Sequence, residues 1–396
     1  MTYNFSRRIS SLAPSAIREI LKAASQPGVI SFAAGNPAPE AFPVEAVREI
    51  SARLFADRPV DCLQYGITEG YAPLRARVRT ALGEQLHCGE GFDELIITSG
   101  AQQVMDLAAK ALCNEGDTVL AESPSFIGSL NTFRSYGLRL RGVPLQEGGM
   151  DLDALEALLQ SERNVRFIYT IPNYQNPSGV TMPEEKRRRL YALALQYGVL
   201  ILEDNPYGEL RYEGEALPCI KSMDTEGIVI YAGSFSKILA PGIRVGYCLA
   251  PREIIAKMTV CKQVSDVHTP IFSQLLVDEW MKSYDVAAHI KKIRALYRAK
   301  LALMCGGLEE SGAAAVLRFR RPAGGLFLWC VLPKEVDMLK FAGRTAECGV
   351  AVVPGSAFAV EASDPINAVR LNFSTPADSQ LRRGVEILGE VVKAGI

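Results

Sequence analysis

A series of short, continuous apolar runs alternates with helical stretches along the middle of the chain. The runs lie at residues 95–98, 118–121, 165–171, 199–203 and 228–231. Strands that are apolar along their whole length are typical of parallel sheets buried on both faces. The helical stretches between the runs, for example residues 184–197, would cover those faces. The sequence therefore predicts an α/β fold with a mostly parallel sheet.

A second, smaller α+β unit is predicted after Pro270. A long helical region to about residue 308 leads to strand patterns at residues 325–332, 350–353 and 368–373, with helices at residues 336–348 and 378–393. An amphipathic helix is predicted at residues 15–24 and is too short to fold alone. We divide the chain into an arm and part of the small domain (1–40), a large domain (41–280) and a small C-terminal domain (281–396).

Composition excludes several classes of function. The chain has 396 residues and a formal net charge of -1, so we expect neither nucleic-acid nor membrane binding. The basic cluster at residues 186–189 is interpreted as a solvated helix face. Nine cysteines without a C-x-x-C pair favour reduced thiols and a cytoplasmic location. Three histidines without ligand spacing predict no metal site, and no apolar run approaches the roughly 18 residues of a membrane span.

Polar residues follow each predicted strand at its carboxyl end. In open α/β sheets this edge is where ligands bind, because the ends of parallel strands meet there. Gly100 ends the first of these strands, and Ala101 and Gln102 begin a helix whose free N–H groups suit an anion. An ordinary strand-to-helix turn is the alternative at this position.

The stretch from Tyr231 to Tyr247 carries the most chemistry. Ser234, Ser236 and Arg244 are donors suited to a dianionic phosphate, and Lys237 is left as a nucleophilic amine. We interpret Lys237 as a lysine that forms a Schiff base. An isolated Ser-x-Ser-Lys motif is also compatible with a solvated loop, so the surrounding residues must decide.

The other strand ends complete a site for pyridoxal phosphate. Asp204 would keep the pyridine nitrogen protonated, which makes the ring a strong electron sink. Asn176 and Tyr207 would hold the ring oxygen by hydrogen bonds. Phe126 would stack on one ring face and Pro206 would touch the other. A strand-end cap for Asp204 and simple packing for Phe126 are the alternatives.

The substrate is expected to be an amino acid. Arg370 lies among apolar neighbours in a predicted strand, where a lone guanidinium needs a partner, and a carboxylate fits its forked geometry. A structural salt bridge is the alternative. Gly35 lies in a Gly- and Pro-containing segment, residues 35–39, which indicates backbone close to a ligand.

In combination these motifs resemble the class I/II aminotransferases that depend on pyridoxal phosphate. The motifs are Ser-Phe-Ser-Lys with Arg-x-Gly-Tyr, Asn-x-x-x-Asn-Pro-Ser-Gly, Asp-Asn-Pro-Tyr, Tyr-Gly…Gly…Leu-Arg and Arg-Leu-Asn-Phe-Ser. They span nearly the whole chain. Residues 35–39 and 172–176 are most similar to the 2-aminoadipate and kynurenine aminotransferase branch. One departure is Gly35-Asn36-Pro37, where that branch often has Gly-Gly-x-Pro.

The resemblance implies a fold-type I enzyme with a seven-stranded sheet in its large domain. It also implies a homodimer with shared active sites, in which Tyr65 reaches the phosphate of the neighbouring subunit's cofactor. Arg18 matches an arginine that reads acidic side chains in this branch, although a surface helix position is equally compatible with the sequence.

The expected reaction is ping-pong transfer of an amino group from an α-amino acid to a 2-oxo acid, with 2-oxoglutarate as the acceptor. Lys237, Asp204 and Tyr207 are the expected catalytic residues. Donors with 2-aminoadipate or aromatic side chains, or a broad range of donors, are expected. The alternatives are a β-lyase or decarboxylase on the same scaffold, or a ligand-sensing domain of a transcription regulator. The second is disfavoured because only about 30 residues precede the core and the net charge is near zero.

Overall fold

The computed structural model describes residues 3–10 and 28–395. Its larger sheet has eight strands: β2 (Asp93–Thr98), β3 (Thr118–Ser123), β4 (Arg139–Gln146), β5 (Gly149–Met150), β6 (Val165–Thr170), β7 (Leu200–Asp204), β8 (Val229–Ser234) and β9 (Gly246–Pro251). Their spatial order is β2-β9-β8-β7-β6-β3-β4-β5. The pairs from β8 through β7, β6 and β3 to β4 are parallel, whereas β9 is antiparallel to both of its neighbours. The mostly parallel sheet is confirmed, with the two-residue β5 as an eighth strand.

Both faces of this sheet are buried, which explains the continuous apolar runs. On β3, Val119 and Ala121 belong to one hydrophobic cluster and Leu120 to another. On β6, Phe167 and Ile168 divide in the same way. Successive side chains on a strand point to opposite faces, so a strand covered on both sides has no face open to water.

The apolar runs did not predict β4, β5 or β9, and the sequences of the two longer ones, β4 and β9, explain why. β4 lies near an edge of the sheet, has a mixed polar sequence and is largely half-exposed. β9 begins two residues after Arg244 and pairs antiparallel to β8, as a hairpin partner does. Neither strand therefore shows the pattern of a separate, fully buried parallel strand.

Helices pack on both faces of the sheet and continue into the second unit. In the described residues they are α1 (Arg7–Ser10), α2 (Val44–Asp57), α3 (Pro59–Leu63), α4 (Ala72–Leu86), α5 (Ala101–Leu112), α6 (Ile127–Ser135), α7 (Leu152–Ser161), α8 (Glu184–Tyr197), α9 (Arg252–Gln263), α10 (Ile271–Ser283), α11 (Val286–Glu310), α12 (Met338–Glu347) and α13 (Asp378–Lys393). None of them is both long enough and apolar enough to cross a membrane.

The smaller sheet is antiparallel and brings Arg370 to the large sheet. Its strands are β10 (Arg318–Phe319), β11 (Phe327–Val331), β13 (Val353–Pro354) and β14 (Ala368–Asn372), in the order β10-β11-β14-β13. A separate pair joins β1 (Ile30–Ser31) to β12 (Val350–Ala351) in parallel. The segment that follows β1 therefore starts beside the C-terminal unit. The division at residues 40 and 280 remains a prediction.

One prediction about the surface is wrong. Arg187, in the basic cluster at residues 186–189, is fully buried. Its guanidinium donates to the carbonyls of Met182, Pro172 and Pro218 at 2.8, 3.1 and 2.9 Å, and to Asn173 Oδ1 at 2.6 Å. Four of the five N–H donors of the buried guanidinium therefore have acceptors within the protein. The neighbouring Arg188 and Arg189 do lie on the exposed face.

Candidate active site

One cavity lies at the carboxyl ends of the parallel strands and collects most of the predicted site residues. Its volume is about 490 Å³. The predicted residues that line it are Gly35, Ala101, Gln102, Phe126, Asn176, Asp204, Pro206, Tyr207, Ser234, Ser236, Lys237, Arg244 and Arg370. They come from both sheets and from positions up to the last quarter of the chain. The fold therefore places these side chains around one space.

Lys237 lies on the turn that follows β8, as the sequence predicts. Its Nζ donates a hydrogen bond of 2.8 Å to the carbonyl oxygen of Gly35. Burial, together with the positive charges of Arg370 and Arg244, lowers the pKa of this amine to about 8. Only a neutral amine is nucleophilic, so the surroundings make Lys237 a usable nucleophile and base near neutral pH.

Asp204 is the last residue of β7 and is buried at the bottom of the cavity. Its Oδ2 accepts a hydrogen bond of 2.9 Å from the hydroxyl of Tyr169, which itself accepts one of 2.8 Å from Ser129. Its Oδ1 is buried and has no hydrogen-bond partner among the described residues. Burial raises the pKa of Asp204 to about 7. A buried carboxylate oxygen without a donor fits the protonated nitrogen of a pyridine ring.

Asn176 and Tyr207 form the side of the cavity next to Asp204. Asn176 Nδ2 donates to the Tyr207 hydroxyl at 3.5 Å. Burial raises the pKa of that hydroxyl, so the phenol keeps its proton and can donate it in a hydrogen bond. Tyr207 also packs edge-on against Phe327, with ring centroids 5.9 Å apart. The pair can hold an anionic ring oxygen as the sequence predicts.

The predicted phosphate donors form a compact anion site. α5 begins at Ala101, after Gly100 with φ +80°, and has no acidic residue in its first turn. Arg244 Nη2 donates to the carbonyl of Ser99 at 2.9 Å, and its Nη1 lies 3.5 Å from the hydroxyl of Ser236. A helix N-terminus, hydroxyls and a guanidinium are the groups that bind a phosphate dianion.

Glycine is required at two points of this anion site. A Cβ on Gly100 would lie 2.3 Å from Arg244 Nη2, and a Cβ on Gly246 would lie 2.7 Å from the carbonyl carbon of Gly100. The positive φ of Gly100 adds a backbone penalty for any other residue. The close approach of the backbone at Gly100 and Gly246 therefore determines the shape of the anion site.

Arg370 is buried in β14 between two aromatic rings. Its guanidinium carbon lies 4.2 Å from the ring centroid of Phe327 and 4.8 Å from that of Phe358. Nη1 donates to Asn176 Oδ1 at 2.9 Å and Nη2 to the Ala33 carbonyl at 2.7 Å, while Nε has no hydrogen-bond partner within residues 3–10 and 28–395. Burial lowers the pKa of Arg370 to about 10.

The salt-bridge alternative for Arg370 finds no support in the part of the chain that the structure describes. None of the ion pairs there includes Arg370, and its side-chain acceptor is the neutral amide of Asn176. A buried cation without a carboxylate beside an open cavity is a suitable receptor for the carboxylate of a ligand.

Two flanking residues shape the remaining walls. Phe126 precedes α6 and lines the cavity, as does Pro206 after β7. A Cβ on Gly128 would lie 2.6 Å from the Phe126 ring, so this glycine makes room for the ring's position. The arrangement is compatible with a flat ring held between Phe126 and Pro206.

Of the predicted site residues that the structure describes, Tyr65 and Gly100 do not line the cavity. Tyr65 is 81% exposed, and its ring meets His268 edge-on at 5.7 Å. Its role toward a neighbouring subunit stays a prediction. Arg18 and the predicted helix at residues 15–24 lie outside the described residues. Gly100 lies directly beneath the lining residues as the cap of α5.

Some residues that support the site gave no clear signal in the sequence. Tyr169, in β6, is part of an apolar run and reads as core, yet it hydrogen-bonds to Asp204. Glu122 is fully buried and accepts from Thr170 at 2.6 Å and Gln175 at 3.2 Å; burial raises its pKa to about 7. A carboxylate at the end of a buried strand was the only available hint for Glu122.

No group of three or more His, Cys, Asp or Glu side chains suited to a metal ion occurs within residues 3–10 and 28–395. The donors around the cavity are an amine, guanidinium groups, hydroxyls, an amide and backbone N–H groups, with Asp204 as the one carboxylate that lines it. This set matches an anionic organic cofactor and an anionic substrate.

Comparison with known proteins agrees with this chemistry. The family model "Aminotransferase class I and II" matches residues 27–388. The chain is 40% identical to aromatic-amino-acid aminotransferase 1 of Thermococcus litoralis, over 98% of this chain and 94% of that one. It is also 40% identical to 2-aminoadipate transaminase of Thermus thermophilus, over 98% and 96%.

A solved structure extends the similarity to the fold. Kynurenine aminotransferase of Pyrococcus horikoshii, in complex with PMP, superposes with a TM-score of 0.94 at 36% identity, covering 99% of this chain and 97% of that one. The fold-type I architecture is thereby confirmed. The chain belongs to the class I and II aminotransferase family and is a transaminase that depends on pyridoxal phosphate.

Proposed function

We propose that this transaminase takes its amino group from an α-amino acid with a large side chain, aromatic or similar to 2-aminoadipate, and passes it to 2-oxoglutarate. The observation that carries the proposal is that Lys237, Asp204 and Arg370 line one cavity. The relatives named for aromatic amino acids and for 2-aminoadipate support these donor classes. Met105, Ile127 and Phe327 give the same cavity apolar walls for a large side chain.

Each residue has a role that follows from its surroundings. Bound pyridoxal phosphate supplies a pyridinium ring that accepts the electron pair left at the substrate α-carbon. Asp204 holds a proton at the ring nitrogen through its free Oδ1. Arg370 orients the substrate by its α-carboxylate, and the amine of Lys237, with its lowered pKa, removes the proton from the α-carbon.

The same residues serve both half-reactions. A 2-oxo acid presents the same carboxylate to Arg370 as the amino acid does, so one guanidinium can orient donor and acceptor in turn. Ala101, Gln102, Ser234, Ser236 and Arg244 hold the phosphate throughout. One carboxylate receptor for both substrates and one fixed cofactor site allow the donor and the acceptor to react in turn in the same cavity, as a ping-pong reaction requires.

We further propose a homodimer in which Tyr65 contacts the partner's cofactor. α3 and the loop that follows it expose the apolar side chains of Val60, Leu63 and Ile67 at 69%, 77% and 55%. Adjacent apolar side chains that are this exposed favour a protein interface. A cytoplasmic location is part of the same proposal and is favoured by the nine free thiols.

A donor screen tests the substrate assignment. Purified holoenzyme is incubated with 2-oxoglutarate and each of several donors, namely phenylalanine, tyrosine, kynurenine, 2-aminoadipate, leucine and alanine. Glutamate and the 2-oxo acid of the donor are both quantified. Large donors are expected to have the highest kcat/KM. Ammonia or carbon dioxide as the main product would instead indicate a lyase or a decarboxylase.

Mixing two inactive variants tests the shared site. Lys237→Ala and Tyr65→Ala are each expected to be poorly active, and a mixture refolded together should recover activity. The recovery should be about a quarter of the wild-type activity, since half of random dimers are hybrids and each hybrid holds one intact site. A mixture no more active than its components would contradict the role of Tyr65.

A further inference from the structure

Two buried thiols, far apart in sequence, are in direct contact. Cys88 follows α4, and Cys219 precedes a short 3₁₀ helix (Ile220–Met223). Their Sγ atoms lie 2.8 Å apart, across 131 residues of chain. All nine cysteines lie in the described part of the chain as free thiols, and this is the pair whose sulfur atoms are in hydrogen-bonding contact.

Each thiol is held in place by contacts of its own segment. The backbone N–H of Cys88 donates to the Leu82 carbonyl at 3.2 Å. The N–H groups of Ile220 and Lys221, next to Cys219, donate to the buried carboxylate of Glu203 at 2.9 and 2.8 Å. Backbone hydrogen bonds therefore hold the segment of Cys88 and the segment of Cys219 in place, and with them the contact between the two sulfurs.

A buried ion pair joins the two segments directly. Lys221 Nζ lies 2.7 Å from Asp93, which follows Cys88 by five residues, and 2.8 Å from Asp224; all three side chains are fully buried. A disulfide needs its sulfurs about 2 Å apart. The sulfurs need to move less than about 1 Å to reach that separation, so little native structure opposes the bond.

A second cavity gives small molecules access to this pair. It has a volume of about 310 Å³ and is lined by Cys219 together with apolar side chains that include Leu82, Leu86 and Phe235. Both thiols are buried, Cys88 at 4% and Cys219 at 1% exposure, and Cys219 is the one of the pair that lines this space. A small uncharged oxidant that enters this space meets Cys219 first and finds a second thiol within reach.

We propose that Cys88 and Cys219 form an oxidisable dithiol site that closes to a disulfide with hydrogen peroxide. The Cys219 sulfur attacks one peroxide oxygen, the O–O bond breaks, and water leaves, giving a sulfenic acid. The Cys88 sulfur then displaces the hydroxyl group, which leaves as a second water after it takes the thiol proton. In total two thiols lose two electrons, and one peroxide becomes two waters.

The disulfide would stabilise the folded protein. It cross-links residues 131 positions apart, which restricts the unfolded chain far more than the folded one. The native contact already exists, so we expect little strain in return. Oxidation should therefore raise the melting temperature of the holoenzyme by a few degrees.

Peptide mapping tests the proposal directly. Holoenzyme is treated with hydrogen peroxide, blocked with N-ethylmaleimide in denaturant and digested with trypsin. The expected product joins peptide 80–110 to peptide 212–221, is lighter than their sum by two hydrogen atoms, and disappears on reduction. Recovery of both peptides fully alkylated, in a sample whose exposed Cys348 has been oxidised, would overturn the proposal.

Matched variants test the stability effect. The rise in melting temperature on oxidation should vanish in Cys88→Ser and in Cys219→Ser and persist in Cys348→Ser, which removes an exposed thiol. An equal rise in Cys219→Ser would show that another modification is responsible. Peptide mapping needs no variant, so the proposal stays testable if a serine in this buried position destabilises the fold.

Discussion

Tyr169 donates a hydrogen bond of 2.9 Å to Oδ2 of Asp204, whose Oδ1 is buried and has no hydrogen-bond partner in the described part of the chain. The carboxylate is thus oriented from one side and open on the other. Burial raises its pKa to about 7, so in the cofactor-free protein this site costs stability whenever the carboxyl is ionised. This unpaired carboxylate destabilises the apoprotein, and a cationic ring nitrogen bound at Oδ1 would offset that loss of stability.

The first prediction follows from this cost. An unfolded aspartate has a pKa of about 3.9, whereas burial raises the pKa of Asp204 in the folded protein to about 7. The folded state binds the proton of Asp204 more tightly than the unfolded state does. Relative to high pH, protonation of Asp204 therefore stabilises the fold; this stabilisation is complete below about pH 4 and is lost as the pH rises through about 7. Asp204→Asn should therefore raise the melting temperature of the apoprotein at pH 8.

The same variant should be a poor enzyme. We expect transamination to fall about 10²–10⁴-fold, because the ring nitrogen is no longer kept protonated. Glu122→Gln is the control, since Glu122 is a buried carboxyl that does not line the cavity. Equal losses of activity in both variants would contradict the special role of Asp204. Calorimetry of the apoproteins and steady-state rates of the holoenzymes provide the measurements.

The second prediction concerns the carboxylate receptor. Arg370→Lys keeps a positive charge but loses the guanidinium fork, and one charge-assisted hydrogen bond contributes about 1.5–3 kcal/mol. We expect KM to rise about 10- to 100-fold for both the amino donor and the 2-oxo acid. Arg244→Lys should instead weaken retention of the cofactor. Unchanged KM values in Arg370→Lys would assign Arg370 a structural role.

The third prediction concerns Arg187, whose guanidinium donates to four acceptors, one each on residues 172, 173, 182 and 218. Arg187→Met leaves several buried carbonyls without a donor and should lower the free energy of unfolding by about 3 kcal/mol. Arg188→Met removes an exposed arginine from the same helix and should change it by less than about 0.5 kcal/mol. Chemical denaturation of the two variants measures both free energies of unfolding. Equal losses in Arg187→Met and Arg188→Met would contradict the role of the buried hydrogen bonds.

The fourth prediction is the pH dependence of cofactor binding. Lys237 has a pKa lowered to about 8, first by burial and then by Arg370 and Arg244. Since only the neutral amine attacks an aldehyde, the rate of holoenzyme formation should rise with pH and level off above about 8. Arg370→Met removes one of the positive charges and should move this midpoint to higher pH. Absorbance stopped-flow from pH 6 to 9.5 measures the rate of holoenzyme formation for the wild type and the variant. The same pH midpoint in both proteins would contradict an effect of the Arg370 charge on the pKa of Lys237.

The sequence predicts much of this structure because its strongest signals are local. Continuous apolar runs mark the buried parallel strands, and the helices Glu184–Tyr197 and Asp378–Lys393 have the predicted bounds. Placement of polar residues after strand ends suffices to bring Lys237, Asp204 and Ser234 to one edge.

The remaining features depend on tertiary packing. Phe327 and Phe358 sandwich Arg370 from two different segments, and no local pattern relates them. Arg187 sits in a run of basic residues that is typical of an exposed face, and only the path of the loops at Pro172 and Pro218 makes it a core residue. The contact between Cys88 and Cys219 is equally non-local.

The most direct test of the central claim is to identify the lysine that holds the cofactor. Holoenzyme is reduced with sodium borohydride, which fixes the covalent link, and its tryptic peptides are sequenced by mass spectrometry. We expect a phosphopyridoxyl group on Lys237, with trypsin failing to cut there, so that peptide 222–244 is recovered intact. A modification found only on another lysine, such as Lys262 or Lys221, would contradict it.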